Sequence, residues 1–144
     1  MTRQLADEVN RLLRDLVLLL RRTHVTADAS PQQLAVLGSL SDRDCRMSAL
    51  ADEHGVRLPT MTAQINRLER DGLVARRGDA ADARVVVVTL TDAGRTTLAD
   101  GRARRVEALE HRLATLTDDD RARIAAALPA LSRLAAAEPT GGER

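Results

Sequence analysis

The stretch that decides the fold is Ser48–Thr91, SALADEHGVRLPTMTAQINRLERDGLVARRGDAADARVVVVTLT. It holds two short helical patterns joined by a glycine. Ser48 is expected to cap the first, in which Leu50 and Ala51 point inward. Gly55 ends it in the left-handed conformation that glycine adopts at least cost, and Val56 turns into the core. The second helix begins around Leu58-Pro59 and ends at Gly72, with Met61, Ile65 and Leu68 as its buried stripe. Leu73–Arg77 reads as a strand, Gly78–Ala83 as a turn, and the β-branched run Val85–Leu90 as a second strand. Helix, turn, helix and hairpin in that order make a winged helix-turn-helix.

Projected at 100° per residue, the second helix places Pro59, Ala63, Asn66 and Arg70 opposite its buried stripe. Arg67 stands beside them, and Thr60 and Thr62 lie on the flanks. Small residues near the helix start let a backbone sink into the major groove of DNA. Threonine hydroxyls reach phosphate or base, Ala63 can touch a thymine methyl, and Asn66 and Arg67 can read purine edges. Arg70, Arg76 and Arg77 are placed for the phosphate backbone. From Arg57 to Arg84 six arginines face four acids, a local charge of +2; the plainer reading of such a run is a solvated helix face. Asp82 precedes Arg84 by two residues, so the carboxylate can hold the arginine in the geometry that suits a narrow minor groove. As a mere surface ion pair the two would contribute little.

Outside that stretch the pattern is helical. Residues 2–24 place Leu5, Val9, Leu12, Leu13, Leu16 and Leu20 at three- and four-residue spacings, an apolar face long enough to pack on a partner. Thr23–Ala29 connects. Ser30-Pro31-Gln32-Gln33 opens the next helix with a capping box, and Leu34, Leu37 and Leu40 form its buried face. The polar stretch Ser41–Arg46 closes it. Thr91 caps a long helix carrying Val106, Leu109, Leu113 and Leu116. Thr117 and three aspartates open the last helix, whose apolar face is Ile124, Leu128, Leu131 and Leu134, and Pro129 is expected to kink or split it. The tail Pro139–Arg144 is expected to fray.

Composition narrows the function. All 22 basic residues are arginine, and Phe, Tyr and Trp are absent. Base stacking on aromatic side chains, the usual device of single-strand and RNA readers, is therefore excluded. A single cysteine excludes an intramolecular disulfide and a multi-cysteine zinc knuckle. The longest uncharged run near the N-terminus, Leu16–Leu20, is too short for a membrane span or signal peptide, which leads to the expectation of a cytoplasmic protein. No Ser/His/Asp arrangement, P-loop or dinucleotide fingerprint is present, so no enzymatic activity is expected.

From Leu50 to Arg95 the chain resembles the MarR family of winged-helix regulators. The resemblance rests on LA before the glycine turn, PTMT opening the second helix, NRLERDGLVAR, the Asp-x-Arg of Asp82–Arg84, four valines, and LTDAGR. The flanking helices follow the family's order, so it extends over nearly the whole chain. It implies a mainly α (α+β) fold: a winged helix-turn-helix lobe at 30–91, dimerisation helices at 1–29 and 92–138, and a tail at 139–144. It also implies a homodimer on double-stranded DNA, repression relieved by a small-molecule effector, and no cofactor. Pro59, Thr60, Thr62, Ala63, Asn66 and Arg67 fall on the major-groove helix, Arg84 on the minor-groove wing arginine and Asp82 on its carboxylate partner. Arg57 departs from the family, which often has a serine near that helix start.

An effector pocket would be lined by aliphatic residues, with arginines such as Arg14 or Arg21 meeting a carboxylate. Cys45, beside Arg43 and Arg46, is either a redox sensor or an ordinary packing thiol. Glu107 and His111, with His24, are either zinc ligands or a solvated helix pair, and no metal is expected. The rival to DNA binding is a winged-helix module that binds protein.

Overall fold

The computed structural model describes residues 1–23 and 29–137. The connecting stretch expected around Thr23–Ala29 lies largely outside them, as do His24 and the expected tail. Described residues group into two compact units, Met1–Val106 and the segment from Glu107 onward.

The first unit begins with α1 (Thr2–Thr23) and α2 (Pro31–Ser39). The start of α2 is the capping box read from sequence: Ser30 Oγ accepts from the Gln33 amide at 3.2 Å, and Gln33 Oε1 accepts from the Ser30 amide at 2.8 Å. A short strand, β1 (Cys45–Arg46), runs straight into α3 (Met47–Glu53). The expected Ser48 cap is therefore displaced. Helix α3 starts two residues earlier, with Arg46 at its N-cap and no side-chain bond there, because Arg46 is already held in the sheet opposite Val87.

Helices α3 and α4 (Leu58–Arg70) end by the same device. Among the described residues, Gly55 at φ 62° and Gly72 at φ 73° are the positive-φ positions. Past each glycine the chain folds back, the Val56 amide bonding the Ala51 carbonyl at 3.0 Å and the Leu73 amide bonding the Leu68 carbonyl at 2.9 Å. A glycine in the left-handed region followed by this six-to-one bond closes a helix and reverses its direction. Val56 is thereby laid against the core.

The wing consists of β2 (Val74–Gly78) and β3 (Val86–Leu90), paired antiparallel from Val74 opposite Leu90 to Gly78 opposite Val86. Sheet order is β1-β3-β2, so the valine-rich strand is central. Both wing strands start one residue later than the pattern suggests. Leu73 is used by the helix-ending bond, and Val85 by the turn, where its carbonyl accepts from the Asp79 amide at 2.8 Å.

The core lies under α4: Leu37, Leu50, Met61, Ile65 and Leu68 are fully buried, joined by Val36, Val74 and Val88. By contrast Leu5, Leu12, Leu13 and Leu16 of α1 stay exposed. Helix α5 (Asp92–Ala114) opens with Thr91, whose hydroxyl accepts from the Gly94 amide at 3.0 Å and donates to the Gly72 carbonyl at 2.7 Å.

In the second unit α6 (Asp118–Ala136) starts at Thr117, whose hydroxyl accepts from the Asp120 amide at 3.1 Å. The expected split at Pro129 does not occur; the helix runs through it. Proline forfeits the bond to the carbonyl of Ala125, but this stretch is exposed within the chain, so that oxygen is not sealed in an apolar core. No residue of α6 is buried within the chain, and Ile124, Leu128, Leu131 and Leu134 are all exposed.

Of the glycines among the described residues, Gly94 has the least room for a side chain. A Cβ there would meet the Leu73 carbonyl and lie 2.7 Å from Leu90 Cδ1. Gly94→Ala is therefore expected to lower unfolding free energy by about 1–3 kcal/mol, measured by urea melts; an unchanged midpoint would contradict the close approach of α5 to the end of α4.

Candidate nucleic-acid interface

Burial of Met61, Ile65 and Leu68 fixes which side of α4 faces out. Pro59, Thr60, Ala63, Asn66, Arg67 and Arg70 are exposed, and Thr62 is half-buried. The Thr62 hydroxyl donates back to the Leu58 carbonyl at 2.9 Å, which leaves its lone pairs for a partner. Arg57 is the N-cap residue and makes no side-chain capping bond, as expected for arginine in place of serine. Arg67 borders a cavity of about 340 Å³ shared with Gln64 and with Ser30, Gln32 and Gln33 at the start of α2.

The wing tip is ordered by two aspartates. Asp79 Oδ1 accepts from the Ala81 amide at 2.8 Å, and the Val85 amide bonds the Asp82 carbonyl at 2.9 Å. Asp82 then grips Arg84 at three points: its Oδ1 accepts from the Arg84 amide at 3.1 Å and from Nε at 3.2 Å, while Oδ2 accepts from Nη2 at 3.5 Å. The Arg84 side chain is nevertheless 91% exposed. Its guanidinium is oriented but remains open to a partner. Those bonds hold the Asp82 carboxyl below its ordinary pKa, the side-chain bond from Arg84 first and its backbone amide second.

The two wing arginines expected on the phosphate backbone have internal partners. Arg76, with only 28% of its side chain exposed, donates to the Glu69 carboxylate and, at 2.6 Å, to Asn66 Oδ1. Arg77 pairs with Asp44 in the loop before β1, and Arg46 lies 3.7 Å from Asp79. Arg70 Nε reaches the Asn66 carbonyl at 3.4 Å. Sequence reasoning overlooked Glu69, Asp44 and Asp79 as partners. The Asn66–Glu69 spacing of three residues was a usable signal, and the strand carrying Arg76 was read from sequence, but its packing against α4, which brings Arg76 to both residues, was not.

A polar cluster joins the ends of α2 and α3. Ser39 Oγ donates to Glu53 Oε1 at 2.7 Å and lies 3.0 Å from His54 Nε2, and Arg43 Nη2 reaches Glu53 Oε2 at 3.2 Å. With its proton given to Glu53, the hydroxyl accepts from the His54 ring, which assigns the proton to Nε2. Both groups meet the serine and neither orients the other, so the cluster fastens two helices and does not form a nucleophile relay. It draws the Glu53 carboxyl below its usual pKa, chiefly through the Ser39 hydroxyl.

Set beside known proteins, the chain matches a profile of the MarR family over residues 27–85. It is 32% identical over 119 residues to the uncharacterized HTH-type transcriptional regulator Mb0904 of Mycobacterium bovis, covering 82% of this chain and 83% of that one. The chain belongs to the MarR family. It is a DNA-binding transcriptional regulator of the winged-helix type. The transcriptional repressor MdtR of Bacillus subtilis is 32% identical over 92 residues, 63% of this chain and 59% of MdtR's own length. A MarR family protein from Bacillus stearothermophilus shares the fold at a TM-score of 0.78, with 24% identity and coverage of 95% of this chain and 99% of that one.

In this MarR-family regulator Cys45 is buried in β1, its thiol directed at the carbonyls of Ser39 and Arg43 at 3.8 Å each, an environment that suits a packing role. Glu107 and His111 are exposed on α5. Among the described residues no three His, Cys, Asp or Glu stand close enough to share a metal, and no helix is long and apolar enough to cross a membrane.

The Arg77–Asp44 pair ties the wing to the loop before β1 and sets an acid sensitivity. Hydrogen bonding from Arg77, then from Thr89, holds the Asp44 carboxyl below its ordinary value. The folded state thus binds fewer protons than the unfolded chain just below about pH 3.9. The stabilisation is complete above that pH and is lost as pH falls through the folded pKa. Asp44→Asn should flatten the acid limb of a stability-against-pH curve; a limb as steep as wild type would show that the pair does not form in solution.

Proposed function

We propose that the protein is a homodimeric, effector-responsive repressor that reads a pseudo-palindromic duplex with half-sites about one helical turn apart. One observation carries this reading. A helix face of small and hydrogen-bonding residues, free of large apolar side chains along Ala63–Arg70, stands beside a wing whose Arg84 is both clamped by Asp82 and open. Pro59, Thr60, Thr62, Ala63, Asn66 and Arg67 enter the major groove, Arg70 meets phosphate, and Arg84 enters the minor groove with Asp82 behind it.

The exposed leucines of α1 and of α6 support the second copy, since a chain does not keep such faces in water unaided. Residues 1–29 and 92–138 are accordingly given to dimerisation and 30–91 to DNA. Repression is supported by the likeness to MdtR, itself named a repressor. For the effector, a cavity of about 390 Å³ is lined by Leu90, Leu98, Ala99 and Ser41 with Arg95 and Arg102. That lining suits a small organic anion with an apolar body, and it replaces Arg14 and Arg21 as the cations to test. No catalytic step, metal or cofactor belongs to this function, and its place of action is the cytoplasm.

Selection of bound sequences from a random duplex pool tests the reading. A palindromic motif is expected; absence of enrichment would sink it in favour of a protein-binding winged helix. Arg84→Ala should weaken operator binding by about 1–3 kcal/mol, measured by fluorescence anisotropy. Leu128→Glu should convert the dimer to monomer in sedimentation equilibrium, and a wild-type protein already monomeric at micromolar concentration would refute the dimer.

A further inference from the structure

We propose that Arg76 is a positioning residue for base reading: it turns the Asn66 amide so that the nitrogen leads into the groove. The inference rests on the placement of α4 in the major groove and adds a direction to it. Arg76 rises from β2 beside α4 and bridges two residues about one helical turn apart, Glu69 through Nη1 and Asn66 through Nη2. A guanidinium carries donors only. The Asn66 atom facing it at 2.6 Å is therefore the oxygen, whichever way an unconstrained amide would turn. Glu69 holds the guanidinium from the other side, and with 28% of its side chain exposed Arg76 has little freedom to leave.

Asn66 itself is exposed. A free asparagine offers a donor and an acceptor in either order and pairs bidentately with adenine. With one lone pair of its oxygen already engaged by Arg76 and that oxygen turned toward β2, Asn66 leads with its two N–H donors. The base edges that complement two donors are acceptor edges, O6 and N7 of guanine or O4 of thymine. Arg76 thus acts on sequence preference and not on phosphate: its charge is balanced by Glu69, so it releases few counterions on binding.

The test compares duplex selection and salt-dependent affinity for wild type, Asn66→Ala, Arg76→Lys and Arg76→Ala as full-length proteins. Wild type should prefer guanine or thymine at one position per half-site, and Asn66→Ala identifies that position by erasing the preference there. Arg76→Ala should reduce discrimination at the same position by about fivefold or more, leaving the other positions and the salt slope unchanged. Arg76→Lys keeps the charge opposite Glu69, and hence the fold, but loses the second prong. It should relax the same position, which covers the case in which the alanine variant fails to fold. Adenine at that position in wild type, or an intact preference in Arg76→Lys, overturns the proposal while leaving DNA reading in place. Uniform weakening by Arg76→Lys or Arg76→Ala, with a salt slope shallower by about one, would assign Arg76 to phosphate instead and likewise overturn it. If wild type enriches no motif, the placement of α4 in the groove falls, and this inference with it.

Discussion

The junction at Gly72 and Leu73 is where three elements meet in hydrogen bonds. The Leu68 carbonyl accepts the Leu73 amide to close α4, the Leu73 carbonyl accepts the Thr91 amide, and the Gly72 carbonyl accepts the Thr91 hydroxyl. Only a residue at ease with positive φ can make this reversal without strain, and Gly72 supplies it. Gly94 then lets the first turn of α5 close on the same carbonyl. The direction of the wing relative to the helix before it is thus set by backbone bonds, which side-chain fluctuation does little to disturb. Any surface built jointly from α4 and the hairpin depends on that angle.

Around this junction charge is used in two ways. Arg46, Arg76 and Arg77 stand against Asp79, Glu69 and Asp44, pairs that link the wing to the helix and to the strand beside it. Such pairs, partly exposed, contribute modestly to stability, but they determine which way side chains point. Arg67 and Arg70 remain exposed on α4, and Arg84 at the wing tip. The local excess of +2 counted along the sequence is therefore carried by Arg57, Arg67, Arg70 and Arg84 against Asp71 and Asp82, because the remaining arginines and acids of the stretch are engaged in these pairs.

Features governed by neighbours in sequence were legible. The Ser30–Gln33 box, the glycine ends of α3 and α4, the Thr91 cap and the Asp82–Arg84 grip each span six residues or fewer, and each formed as its spacing suggested. Features governed by neighbours in space were not. Strand β1 is two residues long and has no periodicity to read, and its pairing to β3 is what displaced the Ser48 cap. Arg76 looked like a phosphate ligand because sequence shows its charge and not the Glu69 carboxylate beside it. Pro129 looked like a break because the rule presumes that the abandoned carbonyl is sealed in an apolar core; on a helix exposed within the chain it is not. The exposed face of α4 was readable from the 3.6-residue period alone, whereas the direction of the Asn66 amide required the fold.

Strand β3 also bears on how the chain avoids sticking to itself. Val86–Leu90, uncharged and β-branched, is the type of segment that templates cross-β stacking when its edges are bare. Here both edges are taken, one by β2 with its two arginines and the other by the two residues of β1. The shorter strand covers only Val87 and Val88, yet those are two of the three buried residues of β3. Two residues of pairing, anchored by the contact of Asp44 just before them and that of Arg46 within them, thus serve as a gatekeeper: while they hold, the valine run is interior sheet, and where they part it becomes an adhesive edge.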